Sequence, residues 1–330
     1  MAKIQNLQHR ILNFGFWMWD VFRISCFGFR MYSLLLCFSA APLLLGAPDV
    51  FAAEARPGVL VLAHGGNEAW NASVRDAVTL ARIPYPTDIA YGMGMHAQDV
   101  AQIRDAVARL QAQGVTELLV LPLLISSHSD VYRQYEYLFG FRRVSPWPKH
   151  APPPLTLHLP VRFSAPLDGH PYVAETALDR ARHLSANPAQ EIVLLVAHGP
   201  NGDRDNEAWL MMMRSIALVV QQQGHFARVE VQTLRDDASW FVRHRATRAL
   251  RRLVKRDSRT HHVLIVPLLI ARGGIEEKIP RRLHGLTFAY TGETLLPHPR
   301  VAAWMHDAVE HTISTSQPAK WQPVGVRPGT

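Results

Sequence analysis

Short apolar runs alternate with amphipathic stretches along the first half of the chain, residues 58–185. The runs are rich in Val, Leu and Ile, are typical of buried strands, and lie at 59–63, 87–91, 118–125 and 155–159. Apolar residues recur at helical spacing over 71–83, 100–110, 131–139 and 170–184. This order predicts four consecutive strand–helix units, which favours a parallel sheet with helices on both faces.

The same order returns in the second half of the chain. Strands are predicted at 192–197, 229–234, 263–270 and 287–290, and helices at 206–222, 240–255, 275–283 and 301–313. The residues also repeat, because VLVLAHG at 59–65 corresponds to VLLVAHG at 193–199, and LPLLI at 121–125 corresponds to VPLLI at 266–270. An internal repeat of domain length indicates a duplication.

We therefore expect two similar α/β lobes, over 58–185 and 190–315, joined by a linker at 185–189 and followed by a loose tail at 316–330. Each lobe is expected to hold a four-stranded parallel sheet of order 2-1-3-4 with helices on both faces.

The first 52 residues differ from the rest and indicate an export leader. Basic residues precede an apolar stretch over 32–45, and Val50-Phe51-Ala52 fits a small-residue cleavage pattern. We predict a signal peptide over 1–52 and a periplasmic or secreted mature protein without a stable membrane span. The alternative is an uncleaved N-terminal membrane anchor, although the apolar stretch is shorter than the roughly 20 residues of a spanning helix. Both cysteines, Cys26 and Cys37, lie in the leader, so thiolate ligands and disulfides are not expected in the mature chain.

Composition narrows the classes of function. The 330 residues are 48% hydrophobic and 19% charged, as in an ordinary globular protein, and the formal net charge of +8 favours acidic partners. No nucleic-acid-binding module is present, and no Gly-x-Ser-x-Gly hydrolase motif occurs. All but one of the 17 histidines follow the leader. Imidazole is the commonest metal ligand in proteins, so histidines are the first candidates for chemistry.

Three histidines follow predicted strands of the first lobe. His64 follows the first strand, His96 the second and His128 the third. In a sheet of order 2-1-3-4 the first and third strands are neighbours, and ligands bind at the carboxyl ends of the strands around that position. We therefore expect His64 and His128 to line one crevice, with His96 approaching the same rim. Imidazole ligands suit cobalt, iron, nickel or zinc better than calcium or magnesium.

Three motifs, in this order and spacing, resemble the class II tetrapyrrole chelatases that metallate sirohydrochlorin. They are LAHGG at 62–66, LPLLISSHS at 121–129 and APLDGHP at 165–171. The resemblance covers about residues 58–310 and is closest to the fused, two-lobe form of sirohydrochlorin cobaltochelatases. It implies two flavodoxin-like lobes facing a cleft, with His64 and His128 as the paired metal ligands.

The resemblance implies an enzyme that inserts a divalent metal, Co²⁺ with Fe²⁺ or Ni²⁺ as alternatives, into sirohydrochlorin or a related tetrapyrrole. His64, His128 and His96 are the candidate catalytic residues. The candidate substrate-binding residues are Ser126, Ser127, Ser129 and His198. No organic cofactor and no nucleic-acid partner are expected, and the protein is expected to be a monomer. The rival interpretation is a non-catalytic periplasmic carrier of metal or tetrapyrrole, because export separates the protein from the compartment in which such substrates are made.

The sequence departs from the family pattern at two places. The family often has a carboxylate near the end of the second strand, where this chain has GMGMHAQD at 92–99, so His96 replaces the carboxylate or Asp99 reaches in. In the second lobe His198 corresponds to His64, but Gly273 stands where His128 would correspond. We therefore expect a degenerate second site. Glu276 and Glu277 near its rim are candidate proton acceptors. Alternatively, they are acids at the start of a helix, where a negative charge interacts favourably with the helix dipole.

Overall fold

The computed structural model describes residues 55–315, so the expectations for the leader at 1–52 and the tail at 316–330 fall outside it. The strands are β1 Pro57–Ala63, β2 Thr87–Tyr91, β3 Glu117–Leu123, β4 Val161–Phe163, β5 Glu191–Ala197, β6 Arg228–Thr233 and β7 His262–Leu268. The helices are α1 Glu68–Ala81, α2 Ala97–Ala112, α3 Asp130–Leu138, α4 Pro171–Leu184, α5 Asp203–Gly224, α6 Trp240–Asp257, α7 Ile275–Arg282 and α8 Pro299–Ser314.

The first sheet has the predicted order, β2-β1-β3-β4, and all its strands are parallel. Central strands β1 and β3 are buried along almost their whole length, as expected for strands covered on both faces. Their register pairs Ala63 with Leu123, and Ala63 with Tyr91 on the other side. The carboxyl ends of β1, β2 and β3 therefore meet at one edge of the sheet.

The fourth strand begins later than the sequence pattern predicts. Leu155, Leu157 and Leu159 are buried at alternate positions, but the hydrogen-bonded strand is Val161–Phe163. The backbone N–H of Leu155 donates to the carbonyl of Leu138 at the end of α3, which takes this stretch out of the sheet. Alternating burial therefore identifies a core-facing segment here without identifying its backbone partner.

The second sheet has the order β6-β5-β7 and three parallel strands, one fewer than predicted. The predicted strand at 287–290 forms only a single parallel bridge, between Leu264 and Ala289. Ala289 makes both backbone hydrogen bonds to β7, with Val263 and Ile265. The chain leaves the sheet soon afterwards, because Gly292 has a positive φ of 73°.

One hydrophobic core lies between the two sheets. It joins buried residues of β1, β3, β5 and β7 with those of α1, α4, α5 and α8. Two smaller cores cover the outer faces, with α2 and α3 on the first sheet and α6 and α7 on the second. The layers thus run helices, sheet, shared helices, sheet, helices. No helix within residues 55–315 is both long and apolar enough to cross a membrane.

The last helix of each half packs against the sheet of the other half. α4 contacts β7, and α8 contacts β3. Arg162 of β4 secures α8, since its Nη1 donates to the carbonyls of Thr312 (3.2 Å) and Ile313 (3.0 Å) while its Nε pairs with Glu117 at 2.5 Å. Arg162 thus satisfies carbonyls at the carboxyl end of α8, which have no partner within the helix.

We predict that Arg162→Met lowers the free energy of unfolding by about 2 kcal/mol, because Glu117 and the α8 carbonyls lose a charged donor in a mostly buried place. Adding Glu117→Gln should recover part of the loss. The measurement is urea unfolding followed by circular dichroism. Arg75→Met is the matched control, because its pairing with Glu68 is exposed to solvent and should contribute little. Equal effects of the two Arg→Met changes would contradict the structural role of Arg162.

Candidate metal centre

His64 is the first residue after β1, and its ring orientation is fixed by the next residue. Its Nδ1 lies 2.8 Å from the carbonyl oxygen of Gly65. A carbonyl oxygen can only accept, so Nδ1 donates and Nε2 carries the lone pair in the neutral ring. Gly65 makes this turn at φ 79°, where a side chain would be strained and would crowd Tyr91. The exposed Nε2 of His64 is therefore oriented as metal-binding imidazoles usually are.

His128 lies in the loop that connects β3 to α3, and the backbone of this residue is held on both sides. Its N–H donates to Ser126 Oγ at 3.2 Å, and its carbonyl accepts from the indole Nε1 of Trp209 at 2.8 Å. Ser126 is fully buried, and its hydroxyl fixes the loop backbone through this hydrogen bond. Trp209 comes from α5 in the second half. The His128 side chain remains exposed.

Asp168 ties the His128 loop to the third sequence motif. Its Oδ1 accepts from the Ser127 N–H at 2.8 Å and from the Ser127 hydroxyl at 3.2 Å. Asp168 has a φ of 43°, a conformation that Asp and Asn tolerate better than most residues. The sequence motif at 165–171 contained this aspartate, but its partner forty-one residues earlier is visible only in the fold. Contact of Ser126, Ser127 or Ser129 with a substrate remains a prediction.

The strand pairing needed to bring His64 and His128 to one edge is present. β1 and β3 are neighbours, with Ala63 opposite Leu123. His64 lies one residue beyond that pair and His128 five residues beyond it, on strands about 4.8 Å apart. The two histidines therefore follow adjacent strands at the edge where open α/β sheets bind ligands, and joint binding of a metal by them remains a prediction.

His96 and Asp99 have a local structural role at the start of α2. His96 is the exposed N-cap residue, and the Asp99 carboxylate accepts from the N–H groups of Met95 (3.2 Å) and His96 (3.4 Å). Within residues 55–315, the imidazoles of His64, His96 and His128 do not converge as a group of three within 4.8 Å. A direct part for His96 in catalysis remains a prediction. The Asp99 carboxylate is already hydrogen-bonded to backbone N–H groups at the start of α2.

In the second half the structure brings together His198, Asp236 and Asp237. His198 follows β5 as His64 follows β1, with Nδ1 2.9 Å from the Gly199 carbonyl. Its Nε2 faces Asp237 Oδ2 at 3.4 Å, and one ligand atom from each of the three residues lies within 4.8 Å of the others. The two aspartates were missed from the sequence. Their signal is an acidic pair after the second strand of the repeat, where the family often has its carboxylate.

Asp236 is already neutralised by two cations. Lys278 Nζ lies 2.5 Å from Oδ2, and Arg282 binds Oδ1. Burial acts to raise the pKa of the Asp236 carboxyl, but the hydrogen bond from Lys278 and the charge of Arg282 outweigh it and leave the pKa below its ordinary value. Asp236 is therefore ionised at neutral pH, and its charge is balanced before any metal arrives.

Gly273, which stands where a His128 counterpart would lie, is exposed and closely approached by Trp70. A Cβ on Gly273 would lie 3.0 Å from Cδ1 of Trp70, a residue of α1 in the first half. The two acids near Gly273 make their contacts in the first turns of α7. Glu276 is buried and accepts from the N–H groups of Gly273 (3.1 Å) and Gly274 (3.0 Å), while exposed Glu277 pairs with Arg281. These contacts support the helix-start alternative for Glu276, and proton acceptance by either acid remains a prediction.

The two packed parallel sheets and their helices form a chelatase-like α/β fold. SirB from Bacillus subtilis, solved with Fe³⁺, matches 79% of this chain and 97% of its own with a TM-score of 0.56 and 18% identity. DR2241 from Deinococcus radiodurans, a multi-domain protein described as similar to chelatases, matches 78% of this chain and 54% of its own with a TM-score of 0.44 and 18% identity. No protein family and no curated protein matches the sequence. At this identity the likeness to SirB concerns the fold.

We predict that Asp168→Gly lowers the free energy of unfolding by about 1–3 kcal/mol, because the Ser127 N–H loses a charged acceptor. Glycine permits the positive φ, so this variant separates the hydrogen bonds from backbone strain. Asp168→Asn keeps a carbonyl acceptor and should lose less. Chemical denaturation measures both, with exposed Asp76→Ala on α1 as the control. Wild-type stability of Asp168→Gly would show that Asp168 does not anchor the loop.

Proposed function

We propose that this chain inserts a divalent metal ion into sirohydrochlorin or a related tetrapyrrole, with His64 and His128 as metal ligands and proton acceptors. One observation carries the proposal. His64 leaves the central strand of a chelatase-like sheet with Nδ1 engaged by the Gly65 carbonyl and Nε2 free, next to the strand that leads to His128. A hydrogen bond from Nδ1 to a carbonyl fixes the tautomer and the ring orientation of a metal-binding imidazole.

Insertion exchanges one divalent ion for two protons. Four pyrrole-type nitrogens bind the metal, two N–H bonds break, and the two protons leave to bases or to water. Neutral imidazoles suit both parts of this exchange. They can hold the ion without adding charge, and an imidazole that releases the ion regains a lone pair that can accept a proton. The Asp168 and Trp209 contacts support this role because they fix the backbone that carries His128.

Cobalt is the proposed metal, with Fe²⁺ and Ni²⁺ as alternatives. Two imidazoles suit all three borderline ions, so the ligands alone do not rank them. The Fe³⁺ in SirB supports metal handling by this fold. We also propose that residues 1–52 direct export of the protein and that it acts as a monomer. His198 is proposed to face the substrate from the second half.

The test is catalytic insertion by the purified protein. Sirohydrochlorin with excess Co²⁺, Fe²⁺ or Ni²⁺ is followed by absorbance under anaerobic conditions. We expect many turnovers, fastest with Co²⁺, and a loss of about 100-fold or more in His64→Ala and His128→Ala, since each removes a ligand and a base.

His158→Ala is the matched control, because His158 is an exposed histidine outside the three motifs and should leave the rate unchanged. Stoichiometric binding of metal or tetrapyrrole without metallated product would contradict the enzyme and support the carrier interpretation. Full activity of His128→Ala would show that the site lies elsewhere.

A further inference from the structure

A cleft beside the second-half cluster combines cationic and aromatic side chains. It has a volume of about 300 Å³ and lies between the first turns of α6 and the helix α7. Its cations are Arg243, Lys278 and Arg282, and its aromatic rings are those of Trp240 and His244. We call these five residues, with Asp236 at the base, the aromatic–cationic cleft.

The cleft carries an excess of positive charge. Three cationic groups and one carboxylate, that of Asp236, line the cleft, and the Asp237 carboxylate lies beside it, so the cations exceed the carboxylates by one. Lys278 and Arg282 bind this carboxylate, and Arg243 Nη1 donates to the backbone carbonyl of the same residue at 3.2 Å. All three cations are therefore anchored at one place, while the total charge stays unbalanced. Such a cleft attracts anions, and carboxylates match the donors of arginine.

The aromatic rings present a flat surface at the mouth of the cleft. Trp240 and His244, one turn apart on α6, stack with ring centroids 5.1 Å apart and planes only 9° from parallel. Trp240 is 59% exposed and Phe241 77% exposed. Large aromatic side chains that remain exposed beside a cleft are typical of binding surfaces. A planar aromatic ligand could stack on Trp240 and bury part of this surface.

The cleft is connected to the His64 loop through one packing contact. Trp70, six residues after His64, packs against Gly273. Gly273 precedes the first turn of α7, and α7 carries Lys278 and Arg282. The segment after His64 and the segment before α7 are therefore in contact at Trp70 and Gly273.

From these observations we infer that the aromatic–cationic cleft binds the carboxylate-bearing edge of a planar tetrapyrrole, whose ring stacks on Trp240. The identity of the ligand rests on the proposed function. A volume of about 300 Å³ is at the lower end for ligand pockets, so the cleft accommodates carboxylate side chains and leaves the ring at its mouth. The first half would then supply the metal ligands, and the second half would hold the macrocycle.

The experiment measures binding of uroporphyrin, a metal-free porphyrin with eight carboxylates, to the full chain by tryptophan quenching and porphyrin fluorescence. We expect Trp240→Ala and Arg243→Gln each to weaken binding about tenfold, through lost stacking and a lost carboxylate partner. Arg248→Gln, an exposed arginine of α6 outside the cleft, is the matched control and should bind as the wild type does. Thermal unfolding verifies that each variant is folded.

The double variant His64→Ala/His128→Ala should still bind uroporphyrin, because the macrocycle site is separate from the metal ligands. Loss of insertion with retained binding in this variant would support both proposals. Wild-type affinity in Trp240→Ala and Arg243→Gln would overturn the cleft assignment and leave metal insertion unaffected. An equal loss in Arg248→Gln, or equal competition by a single-stranded oligonucleotide, would overturn it in favour of a non-specific basic surface.

Discussion

The arrangement of the two halves depends on burial of two sheet faces against one shared layer of helices. β1 and β3 on one side, and β5 and β7 on the other, cover α1, α4, α5 and α8 in a single core. Because α4 packs on β7 and α8 on β3, neither half completes its own inner face. Removal of this apolar surface from water therefore stabilises both halves together and fixes the position of one set of strand ends relative to the other.

The two halves differ in the loop that follows their third strand. Each half sends a tryptophan towards the loop after the third strand of the other half. Trp209 donates its indole N–H to the His128 carbonyl, which holds the loop while the imidazole stays exposed. Trp70 instead lies beside Gly273, where a Cβ would make a tight contact with its ring. The same kind of contact thus accompanies a histidine loop in one half and a glycine loop in the other.

The sequence predicted the central strands because burial on both faces gives continuous apolar runs, and it predicted the strand order of the first sheet through the doubly wound pattern. The predicted positions of the fourth strands were wrong, because strand formation depends on backbone partners that the apolar pattern does not show. The backbone N–H of Leu155 donates to the end of α3, and Ala289 forms only one bridge to β7. The positions of His64 and His128 at strand ends followed from topology. The contacts of Asp168, Trp70 and Asp236 join residues far apart in the chain, and no local pattern encodes them.

Charge balance decides which ligand suits the second half. His198, Asp236 and Asp237 approach one another as metal ligands would, but Lys278 and Arg282 already neutralise Asp236. The two carboxylates are matched there by the two cations, so the cluster offers a divalent cation little net attraction. Arg243 adds a third positive charge to the lining of the cleft, which favours an anion. This charge balance supports the proposals of metal ligands in the first half and of a carboxylate-binding cleft in the second.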